Sequence, residues 1–291
     1  MIWVNSTSAR MAWRSASPVL GAAFGTALVA GVLLAKQAAA QAPTVLYPDL
    51  RALPPSTPVL DRVTVDGTPR QVLRFTAAIW NAGQGPLELR GETVGDKTLA
   101  FQRIYDDAGG VSERLAGEFA YHEGHHHWHF ENFAEYELWP QAEYEQWLAS
   151  GRQQGLPRWR GNKTTGQGES FCIRDSDLVE PLPASPQDKA YDACDQELQG
   201  ISVGWADTYP FFLGEQWIEI GSARLPNGRY VLRVIADPQN LLYESGNGED
   251  PDREGSQANE AILAFRVRGA TTEFLPEKRA PAHHVHHLVS H

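Results

Sequence analysis

The chain has 291 residues, of which 42% are hydrophobic and 21% are charged, so it can bury a core and is not a disordered chain. Its 25 basic and 36 acidic residues give a formal charge of −11, which argues against nucleic-acid binding, because phosphate contacts require a basic face. The 26 glycines and 19 prolines, with few long apolar helical repeats, indicate the many turns of a β-rich protein.

The first 40 residues have the parts of a secretory signal peptide. Arg10 and Arg14 precede an apolar run over residues 18–35, and small residues lead to Ala40, where we expect cleavage. An uncleaved membrane anchor is the alternative, but the small-residue ending favours removal. We therefore predict a secreted or periplasmic protein without membrane contact after cleavage. The formal charge is then −14, which favours encounter with cationic amines and lysine-rich proteins.

Short apolar alternations begin after the leader. Every second residue from Leu73 to Ile79 is apolar within residues 71–80 (QVLRFTAAIW), which predicts a strand, and the loop sequence NAGQGP follows. Leu87 and Leu89 begin a second strand directly after this loop.

The strongest pattern lies in residues 121–139 (YHEGHHHWHFENFAEYELW). We predict one strand here, in which His125, His127 and His129 point to the same side because they stand two residues apart. The other side is expected to face the core and comprises Trp128, Phe130, Ala134, Tyr136 and Leu138. His122 and His126 do not share the spacing of the three histidines, so we assign them an edge or supporting role.

Three converging imidazoles predict a metal site. A histidine-rich, solvated edge strand is the alternative, but the regular apolar alternation of the other side favours metal ligands. Cu(II), Zn(II) and Fe(II) all accept three imidazoles, and although Cu(II) usually binds most tightly, spacing alone does not choose among them.

A short helix and a cysteine pair follow the histidines. The sequence of residues 142–150 (AEYEQWLAS) predicts a short helix, which ends at Gly151. Cys172 and Cys194 are the two cysteines of the chain, and we expect them to form a disulfide in the oxidising compartment that export implies. A thiolate metal ligand is the alternative, which the lack of a C-x-x-C spacing disfavours.

Two further strands are predicted over residues 229–236 (RYVLRVIA) and 261–267 (AILAFRV), with a polar loop over residues 247–259 between them. Residues 271–291 lack periodicity and end in several histidines, and we predict a disordered tail that takes no part in the active site. The predicted fold class is all-β, as one antiparallel β-sandwich-like domain over residues 41–270 with long loops and one short helix.

The histidine segment, followed by Phe133 and by YEL at residues 136–138, resembles the copper-binding stretch of the lysyl oxidase family. That family's three histidine ligands fall on His125, His127 and His129. Further matches run in the same order over residues 45–268, and their collinearity is more specific than any one of them. They are Asp49-Leu50, Leu73-Arg74-Phe75, Asn81-Ala82-Gly83, Ser170-Phe171-Cys172, Asp207-Thr208-Tyr209, Gln216–Ile220 and Gly228–Leu232.

This resemblance implies a secreted copper amine oxidase, which converts a primary amine to an aldehyde while O₂ becomes hydrogen peroxide. It implies Cu²⁺ and an organic cofactor, lysine tyrosylquinone, which the protein makes from one tyrosine and one lysine. The tyrosine carries over to Tyr209. The implied substrates are lysine side chains or small amines, and Cys172 and Cys194 fall where the family has cysteines.

The lysine of that cofactor does not carry over. The family has it at the place that Gly168 occupies here, while Lys163 lies five residues upstream in the segment GNKTTGQG. Lys163 therefore substitutes for it, or Tyr209 matures into a quinone without a lysine, or the organic cofactor is missing and only the metal site remains.

Asp207 is the candidate for the base that removes the α-proton of the amine. It stands two residues before Tyr209 and would face the same side in an extended segment. A backbone hydrogen-bond acceptor beside a turn is the alternative role for such an aspartate.

The sequence leaves two other functions open. One is a non-enzymatic exported β-sandwich that binds copper or zinc, which Gly168 in place of the lysine motivates. The other is hydrolysis by a zinc-activated water on the three histidines. The sequence supplies no convincing partner residue for a hydrolase.

Overall fold

The structure of the protein is a computed structural model that describes residues 42–65, 67–161, 170–245 and 259–275. The predicted signal peptide and most of the predicted loop over residues 247–259 lie outside the described residues. Within these ranges, no helix has the length and apolar character needed to cross a membrane.

The regular secondary structure of the described residues consists of antiparallel strands and one short helix. The first nine are β1 (Val45–Leu46), β2 (Leu50–Ala52), β3 (Ser56–Val65), β4 (Thr68–Asn81), β5 (Leu87–Val94), β6 (Lys97–Asp106), β7 (Val111–His122), β8 (His127–Glu131) and β9 (Ala134–Pro140). After helix α1 (Gln141–Ala149) come β10 (Trp159–Gly161), β11 (Ser170–Phe171), β12 (Asp177–Leu178), β13 (Leu198–Ile201), β14 (Trp205–Tyr209), β15 (Trp217–Gly221), β16 (Gly228–Ala236), β17 (Glu260–Arg268) and β18 (Thr271–Phe274).

These strands form three hydrogen-bonded sheets. The first has the order β11-β8-β7-β6-β5-β13, with β1 on β6, and the second has the order β10-β9-β16-β17-β18. The third has the order β12-β14-β4-β15, with β2 and β3 also on β4. The predicted strands at residues 71–80, 229–236 and 261–267 are confirmed as parts of β4, β16 and β17. The all-β, single-domain prediction is confirmed as well.

One apolar core lies between the three sheets. Leu73, Phe75, Ala77 and Ile79 of β4 are all buried, as their alternation predicts. Phe75 packs edge-to-face on Tyr136 of β9, with ring centroids 4.8 Å apart. Each such side chain contributes about 1.5–3 kcal/mol by burial, so the core holds the sheets in fixed positions. The same cluster includes Leu87, Leu89, Phe130, Leu138, Phe171, Tyr209, Leu232 and Phe265.

The one helix of the described residues has the position that the sequence predicts. It begins after Pro140, and it ends before Gly151, which has a φ of 68° that favours glycine. Its residues Tyr144 and Trp147 pack on Trp139 of β9, with ring centroids 5.9 and 5.2 Å from the Trp139 ring. The helix thus covers the outer side of the second sheet.

Strand β18 corrects the predicted boundary of the C-terminal tail. The prediction of a disordered tail is wrong for residues 271–274, because they form β18 and pair with β17. Arg268 lies opposite Thr271, so Gly269 and the next residue form a two-residue hairpin turn, with a φ of 62° at Gly269. Residues 276–291 lie outside the described residues.

Candidate metal centre and adjoining cavity

The histidine segment forms a hairpin and not the single strand that we predicted. β7 ends at His122, residues 123–126 form a turn, and β8 begins at His127, directly opposite His122. The N–H of His126 donates to the His122 carbonyl oxygen at 2.8 Å, and His126 has a left-handed φ of 57°. His125 therefore lies in the turn, so the alternation argument is wrong for this residue.

Four imidazoles nevertheless meet at this hairpin. The His125 ring centroid lies 5.4 Å from those of His127 and His129, which are 4.8 Å from each other. His122, which the sequence placed in a supporting role, stacks on His129 at 4.8 Å and lies 4.3 Å from His125. The structure thus brings the three predicted ligands together and adds His122, while His126 is exposed.

A hydroxyl and a carboxylate from other segments lie against these rings. Nδ1 of the fully buried His129 lies 3.0 Å from the Ser170 hydroxyl, and its Nε2 faces His125 Nδ1 at 3.5 Å. Glu215 Oε2 lies 3.3 Å from His122 Nε2 and 3.8 Å from His125 Nε2. Contacts of this kind fix the orientation of metal-binding histidines and increase the basicity of their nitrogens.

The geometry of the nitrogens fits a transition-metal ion. Two nitrogen ligands bonded to one ion at about 2.0–2.1 Å lie roughly 3–3.5 Å apart, which matches the distance between His125 Nδ1 and His129 Nε2. One nitrogen each from His122, His125 and His129 all lie within 4.8 Å of one another. The buried Nδ1 of His122 makes no hydrogen bond to the described part of the chain. Imidazole donors suit copper, zinc and iron.

The two cysteines lie beside His127 but are not metal ligands. The predicted disulfide between Cys172 and Cys194 is confirmed, with the two Cα atoms 5.3 Å apart. The sulfur atoms lie within 4.8 Å of a His127 nitrogen. Because a disulfide sulfur is not a thiolate, the thiolate-ligand alternative is excluded in this oxidised form.

A cavity of about 450 Å³ connects the histidine cluster with Tyr209. His125 and His127 line it together with Asp207 and Tyr209 of β14. Its other lining residues are Cys172, Arg174, Ser176, Cys194, Thr208, Leu213 and Gly214. The volume is typical of sites that hold a small molecule or one long side chain.

Tyr209 lies at this cavity with its hydroxyl in a polar environment. The hydroxyl donates to the carbonyl oxygen of Cys172, and the ring packs edge-to-face on Phe171 at 5.1 Å. Burial raises the pKa of the Tyr209 hydroxyl well above its usual value, and the charge and hydrogen bonding of Asp207 raise it further. Arg174 acts on this pKa in the other direction.

Asp207 lies on the same strand side as Tyr209. On β14 the two residues pair with Ile79 and Ala77 of β4, and both line the cavity, as the two-residue spacing predicts. Asp207 is 1% exposed. The placement brings a carboxylate, a tyrosine and the histidine cluster to one cavity.

Residues 111–250, which contain all of these groups, match the family model described as lysyl oxidase. This part of the chain is a lysyl oxidase family domain. It is 26% identical to lysyl oxidase homolog 2B of Danio rerio over 184 residues, which are 62% of this chain and 18% of that protein. It is 32% identical to lysyl oxidase homolog 3 of Homo sapiens over 80 residues, which are 28% of this chain and 10% of that protein. The matched parts therefore span less than a fifth of these curated relatives.

One predicted cofactor residue lies outside the described part of this lysyl oxidase domain. Lys163 and Gly168 lie outside the described residues, between Gly161 of β10 and Ser170 of β11. Lys163 stays a prediction.

Sequence reasoning missed several residues of the site. His122 could have been found by reading residues 123–126 as a hairpin turn, which places His122 opposite His127. Ser170 and Glu215 carried no signal as histidine partners, because both come from segments far from the histidines in sequence. Arg174 was missed as well. It lies in the short segment between Cys172 and β12, and only the folded chain places it at the cavity.

Proposed function

We propose that the protein is an exported, copper-dependent amine oxidase of lysyl oxidase type. The proposed reaction converts a primary amine R–CH₂–NH₂, O₂ and H₂O to the aldehyde R–CHO, NH₃ and H₂O₂. The observation that carries this proposal is that the histidine cluster and the buried Tyr209 line the same cavity. A metal site alone would account for the imidazoles, but not for the tyrosine and aspartate beside them.

In the proposed enzyme, His125, His127 and His129 hold Cu²⁺, and His122 completes the cluster. Bound copper supplies one-electron redox chemistry, which oxidation of a tyrosine and reduction of O₂ both require. The hydrogen bond between the Ser170 hydroxyl and Nδ1 of His129 keeps this ring in place. Nε2 of His129 then faces the other imidazoles.

Tyr209 is the proposed precursor of the organic cofactor. A tyrosine-derived quinone supplies a carbonyl group and accepts two electrons from an amine. The raised pKa keeps the Tyr209 hydroxyl protonated, so a nearby cation is needed to ionise it, and the histidine cluster would place one at the same cavity. Lys163 is the proposed cross-link partner of Tyr209. The alternative is a quinone formed without a lysine, because Gly168 stands where the family has its lysine.

Asp207 is the proposed base that takes the α-proton of the amine. We expect Asp207→Asn to lower kcat by about 100- to 10,000-fold, because the amide keeps the shape but does not accept a proton. Steady-state peroxide release measures this effect. Asp177→Asn, an exposed change on the neighbouring strand β12, is the control and should leave kcat unchanged. Equal kcat values for wild type and Asp207→Asn would contradict the assignment.

Export and the substrates belong to the same proposal. The apolar leader would deliver the protein to an oxidising compartment, and the disulfide between Cys172 and Cys194 fits that environment. The proposed substrates are small primary amines or the lysine side chains of proteins, with O₂ as co-substrate. The acidic chain would favour their encounter in a salt-dependent way.

A non-enzymatic metal-binding module is the second candidate. The nitrogens of His122, His125 and His129, which lie close enough together for one metal ion, support it without any quinone, and Gly168 in place of the family's lysine favours it. In that case, the cavity would admit only solvent and the metal ion.

Amine turnover by the copper-loaded protein tests the first proposal against the second. Protein loaded with Cu²⁺ in air is expected to consume O₂ and to release equal amounts of peroxide and aldehyde from a primary amine. The zinc-loaded protein is the control, because Zn²⁺ suits the same imidazoles but has no redox chemistry. Copper occupancy without peroxide or aldehyde from any amine would favour the metal-binding module.

A further inference from the structure

Arg174 is a cationic side chain held at the cavity by anchored neighbours. Cys172, two residues before it, is tied to Cys194, and Ile173 is fully buried. Asp175, directly after it, is also fully buried, and its carboxylate accepts from the N–H groups of Ala190 and Ser202 at 2.9 and 2.8 Å. The backbone on both sides of Arg174 is therefore fixed, and the half-buried side chain lines the cavity.

No carboxylate of the described ranges is in direct contact with the guanidinium of Arg174. Among the other half-buried arginines, Arg103 donates to Glu88 at 2.7 Å and Arg74 to Asp61 at 2.8 Å, whereas Arg114 donates to the carbonyl oxygen of Leu241. For Arg174, the described part of the chain provides neither a hydrogen bond nor an ion pair. A partly desolvated guanidinium favours an anion, and it matches a carboxylate with two parallel hydrogen bonds.

The cavity thus contains one fixed charge of each sign. Asp207 is the acidic group and Arg174 the basic one, and both lie close enough to Tyr209 to act on its hydroxyl electrostatically. A simple alkylammonium ion gains from Asp207 but is repelled by Arg174. A molecule with an ammonium group and a carboxylate gains from both, and the volume of about 450 Å³ admits one of small size.

We propose that Arg174 binds the carboxylate of the substrate, so that the preferred substrate is a small primary amine that also carries a carboxylate. This inference rests on the proposed amine oxidase function and narrows its substrate class. In the alternative, Arg174 acts only on the ionisation of Tyr209 and does not touch the substrate.

Matched substrates separate these roles. The test compares ω-amino acids, from 4-aminobutanoate to 6-aminohexanoate, with their primary amides, which have the same length and the same amine but no carboxylate charge. For the best chain length, wild type is expected to show a kcat/KM about 10- to 100-fold higher for the acid, the range of a charge-assisted hydrogen bond. Arg174→Gln should abolish this preference, and Arg174→Lys should keep part of it.

A control variant and a binding measurement complete the test. Arg229→Gln removes the same charge from an exposed position on β16 and should keep the preference for the acid. Calorimetry with hexanoate and hexanamide should show a wild-type preference for the carboxylate that Arg174→Gln lacks, whether or not any amine is oxidised.

The outcomes distinguish the inference from the function on which it rests. Turnover of acids and amides with equal kcat/KM overturns the carboxylate site but leaves the amine oxidase standing. Equal losses for both substrates in Arg174→Gln also overturn it and assign Arg174 to Tyr209. Carboxylate binding that depends on Arg174, without turnover of any amine, supports the anion site and overturns the oxidase.

Discussion

His129→Ala is expected to lower copper affinity by more than about 100-fold and to abolish amine oxidation. His129 is the fully buried member of the cluster and contacts both His122 and His125. Loss of a hydrogen-bond partner behind a metal-bound histidine already costs 10- to 100-fold in affinity, so loss of a ligand should cost more. Competition with a chelator of known copper affinity measures the change.

The matched control for this variant is His126→Asn. His126 stands in the same hairpin but is exposed, and asparagine tolerates its left-handed φ of 57°. This variant should bind copper as wild type does. Separate His122→Ala and His127→Ala variants then show which of these two histidines binds copper together with His125 and His129. We expect the larger loss of copper affinity from His127→Ala. Unchanged copper affinity in His129→Ala would contradict a metal centre at this hairpin.

Tyr209→Phe is expected to bind copper normally and to lose at least about 1,000-fold in kcat, because removal of a group that performs the covalent chemistry has effects of this size or larger. Phenylalanine keeps the edge-to-face contact with Phe171 and loses only the hydroxyl. The lost hydrogen bond to the Cys172 carbonyl should lower the free energy of unfolding by about 1–3 kcal/mol. Peroxide release, copper content and thermal unfolding measure the three effects.

Tyr136→Phe is the matched control for Tyr209→Phe. Tyr136 is a buried tyrosine that also packs on Phe171, with ring centroids 5.8 Å apart, but it does not line the cavity of about 450 Å³. Loss of its hydroxyl should affect stability without abolishing activity. Full activity in Tyr209→Phe, or equal losses in both variants, would contradict a cofactor role for Tyr209.

The strands that the sequence predicted well are those with one continuous apolar side. In β4, alternate residues from Leu73 to Ile79 are buried, because a strand places every second side chain on the core. The same reasoning found β16 and β17. The disulfide was also predictable, because the leader predicts an oxidising compartment and two cysteines leave one internal pairing.

The histidine hairpin shows where alternation misleads. Apolar residues keep their two-residue spacing through both turns of Tyr121–Trp139. The spacing therefore suggested one strand, where the chain forms the end of β7, all of β8 and most of β9. Left-handed residues mark both breaks, with φ values of 57° at His126 and 62° at Asn132. Neither residue type requires this conformation, so the pattern alone did not locate the turns.

The contents of the cavity were only partly predictable, because they depend on contacts between distant segments. Asp207 and Tyr209 share a strand, so their spacing predicted a common side. Ser170 and Glu215 reach the histidines through chain packing that no local pattern encodes. The position of Arg174 likewise depends on the fixed segment after the disulfide, so its charge at the cavity becomes evident only in the folded chain.

Mass spectrometry of the peptide that contains Tyr209, after incubation of the protein with Cu²⁺ in air, tests the central claim most directly. We expect an oxidised Tyr209, either joined to the peptide that contains Lys163 or oxidised without a cross-link, and an unmodified Tyr209 in the zinc-treated sample. Either oxidised form supports an amine oxidase with a cofactor made from this tyrosine. An unmodified Tyr209 in protein that demonstrably holds copper at the histidine cluster would contradict it and favour a metal-binding module.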